Sequence, residues 1–152
     1  MNWSAINFGK VKGKILPQVI FSDPDWFYWA VRKKIFKWKC ADEARIIYKK
    51  SRSIKIPNSS NGALEAEYCT YEGKFVRLDI VPTSQKVHHG GCHCFQLDVI
   101  DMKKVREICL YDKTGGRLLI SKIKWIFFGD RKFRMTKNRC VEFFENDSNF
   151  VI

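Results

Sequence analysis

Lysines 10, 12 and 14 alternate in the segment Asn7-Phe8-Gly9-Lys10-Val11-Lys12-Gly13-Lys14. On an extended strand this spacing puts all three ammonium groups on one side. Glycine lacks a Cβ, so the backbone at Gly9 and Gly13 can approach a partner closely and take positive φ. Amides left open there would meet phosphate oxygens, and lysines beside them position a polyanion without reading its bases. The alternative is a tight turn with solvated lysines that serves folding alone. Arg32, Lys33, Lys34, Lys37 and Lys39 extend the basic surface, with Trp38 set between two of them. An exposed indole in that setting stacks on unpaired bases, at about 1–3 kcal/mol per base. Trp26 and Trp29 lie three apart, the spacing of a core face on a helix, and are assigned to packing.

The Gly–Lys segment is followed, after a short spacer, by Ser22-Asp23-Pro24-Asp25-Trp26-Phe27-Tyr28-Trp29. Together they resemble the small module at the C-terminus of exodeoxyribonuclease-X-like proteins. That module reads Phe-Gly-Lys-(Tyr)-Lys-Gly-Lys, a spacer, then Asp-Pro-x-(Tyr)-x-x-Trp. The resemblance covers residues 5–55; Val11 replaces the aromatic between the lysines, and Trp26 replaces the tyrosine after Asp-Pro. It implies a nucleic-acid context without implying catalysis. No exonuclease domain is read ahead of the motif, and on that analogy the chain is expected to be the accessory module without the catalytic partner.

A second constellation is His88-His89-Gly90-Gly91-Cys92-His93-Cys94, with five potential metal ligands in seven residues. Imidazole and thiolate suit zinc. Structural zinc sites usually join two separated ligand pairs, however, and alternation puts Cys92 and Cys94 on one strand face and His93 on the other. A loop leading into a strand is the competing account, and the expectation is no cofactor, with zinc as the exception. Asp25 with Glu72-Gly73-Lys74 superficially matches the Pro-Asp … Glu-x-Lys pattern of metal-dependent nucleases. Their two acids hold magnesium beside a lysine. Here Asp25 starts a helix and Glu72 falls in a turn. Asp79 and Asp98 offer another carboxylate pair with nothing to fix its geometry. No Ser-His-Asp or phosphate-loop pattern appears.

The net charge of +12 favours a polyanionic partner over an acidic small molecule. Residues 1–56 hold 13 Lys/Arg against 4 Asp/Glu, and residues 57–152 hold 15 against 12. The excess sits where the resemblance lies. No apolar run reaches membrane-spanning length and no signal-peptide pattern opens the chain. Six cysteines in such a chain are expected as reduced thiols in the cytoplasm.

Ser22 or Asp23 caps a helix beginning at Pro24 and running to about residue 36. A second helix is expected to start after Asp42 and end around Ser51, with a short strand at 5–8 and a helical or irregular turn at 16–21. Residues 54–56 read as extended, and Asn58-Ser59-Ser60-Asn61-Gly62 as a polar linker. Beyond it, 63–70 and 74–81 form a hairpin around Tyr71-Glu72-Gly73, and 92–100 alternates again. Residues 105–111 and 117–128 read as strands around a turn at 112–116. Residues 132–144 stay open between an extended pair and a strand with a short helix. The expected fold is α+β: a basic helical module, 1–57, packed on a mostly antiparallel sheet, 58–152. The expected function is a small non-enzymatic nucleic-acid-binding protein. An inhibitor or adaptor of phage type, binding a protein of a nucleic-acid-handling complex, is the alternative, with a metal-dependent nuclease behind it.

Overall fold

The computed structural model describes residues 1–85, 93–109 and 111–151. Its architecture is α+β, with helices and two antiparallel sheets. After a 3-10 turn at Gly9–Val11 come helices α1 (Leu16–Ser22), α2 (Pro24–Arg32) and α3 (Trp38–Ser51). Strands β1 (Ile54–Lys55), β2 (Leu64–Tyr71), β3 (Lys74–Pro82), β4 (His93–Leu97) and β5 (Val99–Ile100) follow. Helices α4 (Met102–Ile108), α5 (Lys113–Phe128) and α6 (Lys137–Glu145) close the chain.

Local chemistry sets the ends of α2. Pro24 takes the first helical position, where its missing N–H is no loss, and Asp23 Oδ1 accepts from Trp26 N at 3.1 Å. The helix stops four residues before the expected end. Lys34 enters the left-handed region at φ 56°, with Ile35 N donating to Ala30 O and Lys34 N to Val31 O. That is a Schellman stop with lysine where glycine is usual. Residues 5–8 form no strand, and residues 16–22 are helical.

The β2–β3 hairpin turns through Glu72 and Gly73, both at positive φ, as a tight two-residue turn requires. β2 lies between β3 and β4, while β5 leaves that sheet to pair with β1. The single strand expected over 92–100 is therefore two strands divided at Asp98. Tyr68 stacks on Phe95 at 4.9 Å between ring centroids. Its hydroxyl accepts from Asp101 N at 2.8 Å and donates to Val99 O at 3.2 Å.

The sequence reading fails over 102–128. What looked like two strands around a turn is α4 and α5. Asp112 Oδ1 accepts from Thr114 N and Gly115 N, so the supposed turn is a helix start. Leu119, Ile120 and Ile123 are the buried residues of its inner stripe. Gly129 then ends the helix at φ 70°. In the open segment 132–144 the structure has a helix, α6, and no strand among the described residues.

Gly115 is required by packing, because a Cβ there would sit 2.5 Å from the Tyr111 Cβ. Glycine to alanine inside a helix normally stabilises by up to about 1 kcal/mol. Here the clash wins: Gly115→Ala is expected to destabilise by about 2–3 kcal/mol, read as a Tm lowered by about 4–12 °C in thermal unfolding. Gly116→Ala, which meets Pro24 at 3.2 Å, should lower Tm less.

α1 packs on α6, α2 on α5, and α5 on β3. Phe21, Phe143, Phe144 and Phe150 form an aromatic nest, edge-to-face except for the stacked Phe144–Phe150 pair. One apolar cluster runs from Ile6 to Phe150 and takes buried residues from both sides of the expected boundary at 57/58.

Candidate nucleic-acid interface

The connector between α2 and α3 is shaped by its apolar residues. Phe36 is buried, and its ring lies 6.0 Å from that of Trp26 and 6.5 Å from that of Phe8. This fixes the connector at residues 33–37 against α2 and brings the loop at residues 6–14 beside it. Trp38 then enters α3 at φ 51° with 90 % of its surface exposed. A left-handed conformation disfavours any residue with a Cβ, and an aromatic held in it while wholly solvated gains no packing in return.

Two hollows open along this edge and share Val31 and Tyr48. The first, about 520 Å3, has an apolar floor of Val31, Phe36, Ala41 and Ala44 and carries Lys34, Lys37 and Arg45. The second, about 410 Å3, is lined by Tyr28, Arg32, Lys103, Arg106 and Glu107. Six cations thus meet one carboxylate. Arg106 is tied to Asp25 at 2.9 Å, and Lys103 to Glu107 at 2.7 Å. Arg45 pairs with Asp42. The hydrogen bond from Lys103, reinforced by the Arg52 charge, holds the Glu107 carboxyl below its usual range. Arg32, Lys34 and Lys37 are exposed and form no ion pair with any described residue.

The Gly–Lys segment takes the alternative form, a turn, and not the extended strand. It is a closed turn: Ile6 N donates to Lys14 O at 2.9 Å and Gly13 N to Ile6 O at 2.7 Å. Gly9 and Gly13 sit at φ 67° and 87°, which is why glycine is needed. Amides 12, 13 and 14 are all spent inside the turn. Gly13 therefore offers no free N–H to a phosphate. Lys10 is engaged as well, its Nζ 2.8 Å from Asp23 Oδ2. Lys12 and Lys14 remain exposed.

Lys39 also has a structural task, donating to Asn2 O at 2.7 Å and lying 3.9 Å from the buried Glu43. Glu43 Oε1 accepts from Ser4 N at 2.9 Å, which pins the first residues to α3. Lys33 caps the end of α2 and is exposed. Trp26 is half-buried and packs on Phe8 and Phe36, while Trp29 is 37 % exposed. The sequence reading missed Arg45, Lys103 and Arg106. Arg45 had a signal, being one helical turn from Ala41 on a face that flanks the connector. Lys103 and Arg106 had none, since they reach the hollow only because residues 102–108 are helical and dock against α2.

The expected metal ligands divide. His88, His89 and Cys92 lie outside the described residues. His93 is exposed on β4, and Cys94 forms a disulfide with Cys69, its register partner on β2, with Cα atoms 4.2 Å apart. The expectation of six reduced thiols is thus corrected. A non-hydrogen-bonded antiparallel pair brings Cα atoms close enough for this bond. In that state Cys94 presents no thiolate to a metal. Among the described residues, Glu67, Cys69 and Cys94 are the one group of three or more potential ligands drawn together. Arg77 reaches into it, 3.0 Å from Cys69 Sγ and 3.4 Å from Glu67 Oε1. Cys40, Cys109 and Cys140 are free, and burial pushes the Cys140 thiol up to about 11.

The nuclease acids are not part of that group. Asp25 is held by Arg106, and Glu72 is exposed in the hairpin turn. No described helix is long and apolar enough to cross a membrane. Comparison of the chain with protein-family models, with curated proteins and with solved structures finds no match.

Proposed function

We propose that this chain is a small non-enzymatic nucleic-acid-binding protein that grips the phosphate backbone along the α2–α3 edge. One observation carries the reading: Arg32, Lys34 and Lys37 line two adjoining hollows, exposed and unpaired among the described residues. Such charges are held apart from carboxylates at an electrostatic penalty that a polyanion would relieve. Lys33, Lys12 and Lys14 extend the surface, and Trp38 stands at its margin for a base to stack on. Lys10 and Lys39 drop to supporting roles, since their ammonium groups already have partners. The resemblance to the exodeoxyribonuclease-X-like module supports the same ligand class. The cytoplasmic setting belongs to the proposal and stands in tension with the Cys69–Cys94 bond, because cytosolic thiols are kept reduced.

A mobility-shift series on single- and double-stranded DNA and RNA tests it. With three to five backbone contacts, log K should fall with log salt at a slope of about −2 to −4.5, depending on the strand form. A flat response between about 50 and 200 mM salt would overturn the proposal.

A further inference from the structure

The α5–α6 turn holds a second concentration of charge. Residues 129–139 contain Arg131, Lys132, Arg134, Lys137 and Arg139 against Asp130, a net of +4. The rest of residues 57–152 sets 10 cations against 11 acids. The positive excess of that whole region therefore lies in this one turn. All five cations are exposed, and none forms an ion pair with a described residue.

The turn is built. Asp130 Oδ1 accepts from Lys132 N at 2.9 Å, and Phe133 N donates to Asp130 O at 3.2 Å. Phe133 stacks on Phe128 at 4.4 Å. The Arg139 guanidinium lies 4.4 Å over Phe133 and donates to Arg134 O at 2.7 Å. Arg139 serves the turn itself, but no described contact engages the side-chain charges of Arg131, Lys132, Arg134 or Lys137. Lys137 and Arg139 occupy the first turn of α6, the positive end of its dipole, with no acid there to offset them. Cations at that end are unfavourable. An anion of many phosphates would offset that effect, and three of the five cations are arginines, whose planar fork matches phosphate oxygens. Trp125 and Phe128, 49 % and 38 % exposed at the end of α5, give bases an apolar surface nearby.

We infer that the α5–α6 turn is a second nucleic-acid site, so that one molecule holds two strands or two segments of one strand. The turn site stands on its own residues; the two-strand corollary rests on the α2–α3 reading. The basic turn shares no residue with the two hollows of the α2–α3 edge. Gly116 packs on Pro24 at the start of α2, and the basic turn lies at the other end of α5, about 18 Å along its axis.

Titration with a single-stranded oligonucleotide of about six nucleotides, short enough to fill one site, reads the number bound. The wild type should bind two. R131A/R134A/K137A, which spares the packed Arg139, should bind one with a melting temperature no lower than the wild type's. K34E/K37E should also bind one. A wild-type stoichiometry of one that R131A/R134A/K137A leaves at one, or an R131A/R134A/K137A protein that still binds two, would overturn the turn site. So would a triple variant that loses only its affinity for phosphatidylserine vesicles. If instead K34E/K37E still binds two, the α2–α3 reading fails and the turn site survives.

Discussion

Reversing Lys34 and Lys37 to glutamate is expected to weaken single-site binding about a hundredfold at 0.1 M salt, measured in the R131A/R134A/K137A background. Each phosphate contact contributes a salt slope of about 0.7–0.9, so at 0.1 M each is worth a little under tenfold, and reversal adds repulsion. The slope itself should become shallower by about 1.5–2. Both residues sit on the solvated connector with no carboxylate partner among the described residues, so the fold should be unaffected. Lys10→Ala is the contrasting arm. Its ammonium group lies on Asp23 Oδ2, beside the oxygen that caps α2, so it should move the melting temperature more than the affinity. Equal affinity losses from both would mean that charge is used diffusely and that the two hollows are no site.

The parts of this surface that were legible in the sequence are those set by neighbours along the chain. Asp23-Pro24 announces a helix start by hydrogen bonding within one turn, and Glu72-Gly73 announces a hairpin by its φ requirements. Lys34, Lys37 and Trp38 were read correctly as exposed, because no apolar periodicity claims them. The α5 error has a physical source. Leu118-Leu119-Ile120 and Ile126-Phe127-Phe128 are apolar on consecutive positions, which fits a buried strand as well as a helix. Asp112 decides the matter through bonds to Thr114 and Gly115, and a glycine pair beside it resembles turn chemistry. Of the two readings of the Gly–Lys segment the structure has the turn, since the freedom that suggested phosphate approach is used to close it.

Long-range pairing left no trace in the sequence. Cys69 and Cys94 are 25 residues apart, and only the β2–β4 register makes them partners. A one-residue slip of β4 would present His93 there instead. Arg106 meets Asp25 across 81 residues by the same kind of accident of packing, and with it the second hollow is completed. A surface assembled from α2, α3 and α4 is visible only once those helices are docked.

Alkali should unfold this protein steeply. Tyr28, Tyr68 and Tyr111, three of the five tyrosines, are each about 1 % exposed or less. Burial pushes all three hydroxyls far above the usual tyrosine range of about 10, and the Ser51 hydrogen bond to Tyr28 offsets only part of that. Tyr28 Oη lies 2.6 Å from Ser51 Oγ, and Tyr111 Oη donates to Met102 O at 3.1 Å, so ionisation in place would break buried bonds. Below pH ~10 both folded and unfolded chains keep these protons, and stability is unaffected by them. Above it the unfolded chain releases three protons that the folded chain retains. Unfolding then becomes easier by about 1.4 kcal/mol per tyrosine for each pH unit, or about 4 kcal/mol for the three. A domain stable by about 5–15 kcal/mol would be exhausted roughly one to four units above pH 10. Tyrosinate absorbance and far-UV circular dichroism followed together should show the late phenolates appearing as the helical signal is lost. Tyr111→Phe should remove one proton from the linkage and make the fall in stability shallower by about a third. Five tyrosines ionising smoothly near pH 10 with the helical signal intact would mean that water reaches these rings. The packing of α2, α4 and α5 around Tyr28 and Tyr111, on which the second hollow depends, would then be wrong.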